Sequence, residues 1–518
     1  MQKLLQKLFM TITIILCCCT AKAQGTEVSN DLKEVYKSGE ALFYRFNYPS
    51  KSATGEDVVL SSLLIAWMPS KPAATDSIES LHIYSHYTIT ADQECPSSDS
   101  NSTDRMLFGM LAKSHHALGL NPAYDFVSRC VVIAPDYEGF GVSRNLSHPY
   151  LSQELTAQQV MDGVKYGMTL YQKLVDSNRA LAFKSDWRTF SYGFSQGGAV
   201  ALAVHRHIEQ NGLSDELHFR GSICGDGPYD LIATLRYYLQ DNGTSYGTKT
   251  EHRQGMSTMP MVLPMIIKGM LDTHPDMKTH TLEDYLSQQF LDTGIMDWLA
   301  SKKYSTGDIS RLWYDQLQKG LDAQGRHYSP EQMAELFYSP KKNTVWAKLD
   351  RLFTPDFYAY ITDADKFGTL PTEKGNVWQD IHRAMLDNSV CEGWEPQHRI
   401  QFVHSKGDMV VPYGNYLSFR DAHPDGEGEL YRIDSSISSS DHSTVGTQFF
   451  LYLTTTGSYG AYFKWLDESP ATGIQTIHDL VIDAFPFDDA WYDLHGRRLS
   501  GEPSTKGIYI HKGRKMIR

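Results

Sequence analysis

Short apolar runs alternate with longer segments of helical period through the first half of the chain. Ala41–Pro49 and Leu60–Pro69 read as antiparallel edge strands, and Leu81–Tyr87 (LHIYSHY) as the strand that follows. Gly109–Leu120 has helical spacing. Cys130–Pro135 (CVVIAP) is continuously apolar, the signature of a strand buried on both faces. A helix over Ser152–Asp176 leads to a strand ending at Phe194, and Phe219–Gly225 supplies another strand. This alternation implies right-handed crossovers and a mostly parallel sheet flanked by helices, an α/β architecture. It stops at Pro228. Up to about Pro396 the amphipathic stretches Leu231–Leu239, Pro260–Leu271, Leu282–Leu299, Asp308–Gly320, Pro330–Phe337 and Val377–Leu386 read as helices, a cap inserted between two strands. Alternation then resumes with strand Ile400–His404, a helix near Tyr413–Arg420, strand Glu429–Ile433 and helix Ser443–Trp465.

The sharpest local signal lies at the end of the strand in Trp187–Val204 (WRTFSYGFSQGGAVALAV). There Gly193-Phe194-Ser195-Gln196-Gly197 fits G-x-S-x-G between an apolar strand and a helical pattern. Glycine two residues either side of the apex supplies the missing volume and tolerates the backbone angles of so tight a turn. Gly198, Ala199, Ala201 and Ala203 let the following helix lie close to the sheet. A serine hydroxyl raised at a helix N-terminus becomes a nucleophile only with a base to remove its proton, so two partners are expected downstream. Asp408 follows IQFVHSKG just past a strand, and His442 follows the last core strand in a serine-rich loop. The order Ser195, Asp408, His442 is the one this type of sheet uses.

Rival residues fit less well. Asp434 sits at a strand edge, Asp441 adjoins its own histidine, and His423 precedes the last strand and faces the wrong end of the sheet. His404 lies in the acid's own strand and reads as packing. The adjacent His115-His116 cannot chelate one metal from one helix face. A tetrahedral intermediate needs oxyanion donors, for which the backbone N–H of Gln196 and that of Tyr87 or Thr88 are placed correctly. The methionines Met256, Met259, Met261, Met265 and Met270 suit an adaptable apolar pocket wall. Neither a cofactor nor a metal is called for by any motif.

Composition narrows the partners more than the fold. The 518 residues are 41% hydrophobic and 21% charged, as in an ordinary globular protein, and the net charge of −13 argues against nucleic acid and anionic membranes. Lys3 and Lys7 precede the apolar run Leu8–Cys19 and the small residues Ala21-Lys22-Ala23, the pattern of a secretory signal peptide. Before Cys17, Cys18 and Cys19 stand Leu16, Cys17 and Cys18, where lipoprotein signals carry glycine, alanine or serine, so acylation is disfavoured. Beyond the signal remain Cys95, Cys130, Cys224 and Cys391, none in a C-x-x-C pair, for which an oxidising compartment leaves several pairings open.

Taken together, APDYEGFG (Ala134–Gly141), GFSQGG (Gly193–Gly198) and HSKGDMVVPYGN (His404–Asn415) resemble α/β-hydrolases over about Ala41–Leu466. Among these the resemblance is to esterases and secreted lipases with a large helical cap, the fungal secretory lipases in particular. It implies ester hydrolysis by Ser195, Asp408 and His442 without a metal. One departure is that Tyr87 follows His86 where that group carries glycine, which bears on the second oxyanion donor. The tail Trp491–Arg518 resembles the C-terminal sorting domain of proteins exported by the type IX secretion system, through Tyr492-Asp493-Leu494, Gly496-Arg497-Arg498, Gly507-Ile508-Tyr509-Ile510 and its basic end. The expected organisation is signal peptide 1–23, core 24–227, helical cap 228–396, core 397–466, linker 467–490 and a small β tail 491–518.

These readings favour an exported serine hydrolase acting on small-molecule or lipid esters in the periplasm, at the cell surface or outside the cell, with the type IX machinery as implied partner. A serine peptidase of the same fold is the alternative, although such enzymes commonly carry Tyr-Gly-Gly where this chain has Gln196-Gly197-Gly198. A non-catalytic binding protein would have no reason to keep all of Ser195, Asp408 and His442.

Overall fold

All six residues of Cys130–Pro135 are buried, as continuous apolar character demands of an interior strand. A computed structural model of the chain describes residues 27–99, 101, 125–243, 246–319, 329–339, 345–434, 436, 440–454, 459–468, 491–492, 499, 501, 508–511 and 514–517. The expected signal peptide, the helix Gly109–Leu120 with His115-His116, and nearly all of the linker lie outside these residues.

Nine strands form one sheet: β1 (Lys33–Ser38), β2 (Ala41–Lys51), β3 (Asp57–Trp67), β4 (Ile78–Ser85), β5 (Cys130–Pro135), β6 (Phe183–Phe194), β7 (Phe219–Gly225), β11 (Arg399–Val403) and β12 (Tyr431–Ile433). Their order is β1-β2-β3-β5-β4-β6-β7-β11-β12. The pairs from β1 to β5 are antiparallel, and those from β5 to β12 are parallel. This is the mostly parallel sheet expected from the alternation, with antiparallel strands at its entry. Strands β5 and β7 occupy the expected residues, whereas β1 is an addition. Its sequence KEVYKS is exposed or half-buried throughout and carries no apolar run to announce it.

Period-two alternation along each strand serves two helical layers. Val131 and Ile133 face one apolar layer, with α1 (Gln153–Asp176), α2 (Gln196–Gln210) and α6 (Gly414–Ala422). Val132 and Ala134 face the other, with α7 (His442–Thr454) and α8 (Tyr459–Asp467). The helix expected over Ser443–Trp465 is helical over His442–Thr454 and Tyr459–Asp467, and residues 455–458 lie outside the described residues. Among the described residues, no helix is long and apolar enough to cross a membrane.

Between β7 and β11 the chain builds the cap around a core of its own. Trp298, Tyr285, Phe290 and Phe353 are buried there, a large side chain of this kind contributing roughly 1.5–3 kcal/mol when removed from water. The cap includes α3 (Leu231–Gln240), α4 (Val262–Thr273) and α5 (Val377–Asp387), near their expected bounds. Besides the short helices Leu349–Leu352, Pro355–Thr362 and Ala364–Phe367, which fall outside the expected ones, two features differ from expectation. The stretch Leu282–Leu299 is not one helix, because the left-handed Gly294 (φ +78°) starts a fresh helix, Ile295–Ser301, after the short Gln288–Leu291. The cap also holds a small antiparallel ribbon of β8 (Met256–Ser257), β9 (Phe337–Tyr338) and β10 (Trp346–Lys348), too short to show a strand pattern in sequence.

Residues from Glu468 onward form a separate unit. In it β13 (Trp491–Tyr492), β14 (Ile508–His511) and β15 (Arg514–Ile517) make an antiparallel three-stranded sheet, with β14 in the middle.

Cys95, Cys130, Cys224 and Cys391 are unpaired and buried, and burial pushes every one of these thiols up. Thiolate is the reactive form, so all four should resist 5,5′-dithiobis(2-nitrobenzoate) in the native protein and react on unfolding. A thiol that titrates rapidly under native conditions contradicts this packing.

Candidate active site

Ser195 stands where β6 ends and α2 begins, and it takes the strain of the turn itself, at φ +59° and ψ −125°. Its flanking glycines answer a different need. A Cβ on Gly193 would lie 2.3 Å from Gly197 O, one on Gly197 2.0 Å from Ser85 O, and one on Gly198 2.2 Å from Gly225 O. Their role is close approach; the unusual backbone angle expected of the glycines falls on Ser195. The Ser195 N–H donates to Gly225 O at 2.8 Å, which ties the turn to the neighbouring strand.

The three side chains expected to converge do so. His442 Nε2 lies 3.0 Å from Ser195 Oγ, and His442 Nδ1 lies 2.5 Å from Asp408 Oδ2. His442 is the first residue of α7 and not a loop residue as expected. Its ring centroid sits 4.8 Å from that of Phe194, which limits where the imidazole can turn. The Ser405 hydroxyl donates to Ser440 O at 2.6 Å, binding the acid loop to the segment that precedes His442.

Asp408 is buried completely, and its other oxygen accepts the N–H groups of Val410 (2.7 Å) and Val411 (3.0 Å). Burial opposes its charge. The charge of His442, hydrogen bonds from His442 and Asp226, and the charge of His404 outweigh that and hold the carboxyl below the ordinary range. The cap steadies the same loop: Tyr238 of α3 donates to Val410 O (2.5 Å) and Thr258 to Met409 O (3.1 Å).

The rivals lie elsewhere. Asp434 accepts from the Tyr462 hydroxyl, Asp441 caps the helix by accepting Thr444 N–H (3.0 Å), and buried His423 bonds Cys391 O (2.8 Å). His404 packs within the core as expected, bonded to Val411 O at 3.0 Å. One side chain was missed. Asp226, at the end of β7, is buried beside Asp408, with Oδ2 3.9 Å from His442 Nδ1. An aspartate directly past an apolar strand, as at Asp408, was the available signal, but Gly225-Asp226-Gly227-Pro228 reads as an ordinary turn.

Ser195 and His442 open into a cavity of about 550 Å³. Met259, Val262 and Ile266 of the cap line it together with Phe194 and Phe450 of the core, so the walls are chiefly apolar. Of the five methionines that begin the cap, Met259 reaches this cavity while Met261 and Met270 are buried in the cap core. Tyr87 and Thr88 reach the same cavity, and Gln196 opens α2, whose N-terminal dipole favours negative charge at this point. Buried His86 stacks on Tyr137 (centroids 3.9 Å apart) between the carbonyls of Tyr87 and Asp136, and burial pulls its pKa down to about 4.

Two groups of ligand-type side chains are occupied by hydrogen bonds. Glu209 accepts from His205 Nε2 (2.9 Å), His398 Nδ1 (2.8 Å) and the N–H groups of Gln397 and His398. In the other, Asp226 Oδ1 accepts Ser405 N–H (2.8 Å), alongside the bonds of His404 and Asp408 already described.

No family model matches the sequence, nor does any curated protein. Solved structures match in fold. The rice cell wall degrading esterase LipA from Xanthomonas oryzae aligns over 89% of this chain and 99% of its own, at TM-score 0.54 and 18% identity. A Legionella pneumophila protein assigned as a hydrolase aligns over 85% and 92%, at TM-score 0.51 and 18% identity. At such identity the likeness is one of fold, and function rests on the site.

Replacing Gly197 by alanine forces a methyl group into backbone oxygen. We expect a loss of at least about 1–3 kcal/mol of stability, read by denaturant unfolding, together with loss of the turn at Ser195. Unchanged unfolding contradicts the close approach described above.

Proposed function

We propose that this protein is a serine hydrolase that cleaves carboxylic esters through an acyl-enzyme, with Ser195 as nucleophile, His442 as base and Asp408 as its orienting acid. The observation that carries the reading is the unbroken line of hydrogen bonds from Asp408 through His442 to Ser195, 2.5 Å and 3.0 Å long, opening into an apolar cavity.

In this mechanism Ser195 Oγ attacks the ester carbonyl carbon as His442 Nε2 takes the hydroxyl proton. Asp408 holds the imidazole by Nδ1 and stabilises the imidazolium. Negative charge on the carbonyl oxygen is met by the Gln196 N–H at the start of α2 and by an N–H from Tyr87 or Thr88. His442 returns its proton to the departing alcohol, leaving the acyl group on Ser195. Water then attacks that ester as His442 takes a proton from it, and collapse releases the carboxylic acid and restores the serine.

An acyl or aryl group suits the walls formed by Met259, Val262, Ile266, Phe194 and Phe450. That a protein of the same fold is a cell wall degrading esterase supports an ester in place of an amide. Export belongs to the same proposal. It is supported by the basic start and apolar run from Lys3 to Cys19, while the tail motifs around Tyr492 and Gly507 support recognition by a type IX secretion machinery.

Ser195→Ala should lower hydrolysis of p-nitrophenyl butyrate by at least about 10³-fold in kcat/KM with folding unaltered. Wild-type turnover in that variant sinks the assignment. Across acetyl to decanoyl esters, kcat/KM should vary by about tenfold or more, since each added methylene buried in the cavity contributes about 0.8 kcal/mol until its walls are reached. A flat profile shows that the acyl chain does not enter the cap.

A further inference from the structure

Asp226 contributes nothing to the mechanism just described, yet it is fully buried within reach of the base. It directly follows β7, its N–H donates to Val403 O of β11 at 2.8 Å, and its Oδ1 accepts Ser405 N–H at 2.8 Å. Oδ2 is buried 3.9 Å from His442 Nδ1 and accepts no hydrogen bond from the described residues. A carboxylate oxygen of Asp226 and one of Asp408 lie within 4.8 Å of each other.

Two carboxylates brought together out of water cannot both be charged, so one proton lies between them. The donors decide where it resides. Asp408 accepts from three, His442 Nδ1 and the N–H groups of Val410 and Val411, all of which favour its anion. Asp226 accepts from one, Ser405 N–H, and has an oxygen without a donor. A proton on that oxygen converts an unmatched acceptor into a donor to Asp408, which completes the hydrogen bonding of both groups. Burial, followed by the charge of Asp408 and the bond to it, acts in the same direction by pushing the Asp226 carboxyl well above its ordinary range.

We propose that Asp226 is a positioning residue that carries the proton shared with Asp408 and donates it to that carboxylate, keeping Asp408 charged and aimed at His442. The other titratable groups facing Asp226 are His404 on the acid loop (Nε2 3.7 Å from Oδ1), His442 at the start of α7, and Tyr229 just beyond β7. His404 is neutral, since burial pulls its pKa down to about 4, and it bonds Val411 O. Tyr229 is buried and stays protonated, because burial raises it well above its ordinary range. The site therefore holds one negative charge, on Asp408, before the imidazole is protonated.

Asparagine reproduces the hydrogen bonds of a protonated aspartic acid, an acceptor for Ser405 N–H and a donor to Asp408, without its charge in either state. The test compares pH profiles of kcat/KM on p-nitrophenyl butyrate for the wild type, Asp226→Asn and Asp226→Leu. The acid limb reports protonation of the base in the free enzyme. In Asp226→Asn that limb should stay within about 0.3 pH units of wild type, because no charge has been removed. In Asp226→Leu, which loses both bonds, kcat should fall about tenfold or more while KM changes by less than about twofold.

A downward displacement of the acid limb by about one unit or more in Asp226→Asn shows that Asp226 was charged, and overturns the proposal. So does an Asp226→Leu enzyme with wild-type kcat. Should the leucine variant fail to fold, the asparagine profile decides alone. The proposal rests on the hydrolase reading, so Ser195→Ala is measured alongside. Activity surviving there removes that reading and this one with it, whereas an inert Ser195→Ala with a displaced limb in Asp226→Asn overturns the role of Asp226 only.

Discussion

Everything at this edge of the sheet depends on a backbone contact too close for any side chain. The first turn of α2 is pressed against the end of β4, where a methyl group on Gly197 would meet Ser85 O at 2.0 Å. That approach lets a twelve-residue strand turn directly into a helix, and it leaves Ser195 at φ +59° with its hydroxyl exposed to the cavity. The same contact brings Tyr87 and Thr88, just beyond β4, to the cavity that Ser195 enters. Strain at one residue is held by hydrogen bonds to its neighbours, as from Ser195 N–H to Gly225 O.

From this point the parallel sheet does the remaining placement. Adjacent strands β6, β7 and β11 end at one level, so the residues that follow them, Ser195, Asp226 and His404, lie side by side. The loop after β11 then carries Asp408 to His442, and Ser405 Oγ links that loop to Ser440 O. The cap interrupts the chain between β7 and β11 without disturbing their pairing, because it buries its large side chains in a separate core. Its helices return to the site at two kinds of contact. Tyr238 and Thr258 hold carbonyls of the acid loop, and Met259, Val262 and Ile266 close the cavity.

How much of this was legible in the sequence follows the strength of the local pattern. Strands β5 and β7 were placed to the residue, because runs buried on both faces have no polar alternation to blur their ends. Strand β1 was not visible, since KEVYKS lies on an edge and is largely solvent-exposed. The break at Gly294 was hidden by apolar residues that keep helical spacing across it. The meeting of Ser195, Asp408 and His442 was legible because chain order and position after a strand are sequence properties. The approach of Asp226 to them was not, since it arises from β7 and β11 lying side by side, a pairing that the intervening cap conceals. The reason for the glycines was legible in part: their small size was foreseen, while the positive φ belongs to the serine between them.

Reactivity at Ser195 exists, in this account, because His442 bridges it to Asp408. The most direct measurement is fluorophosphonate labelling followed by peptide mass spectrometry of the native protein and of His442→Ala. Labelling of the peptide that contains Ser195, at a rate strongly reduced when His442 is replaced, is the expected result. A label found on a different residue, or labelling of Ser195 that proceeds equally well without His442, contradicts it.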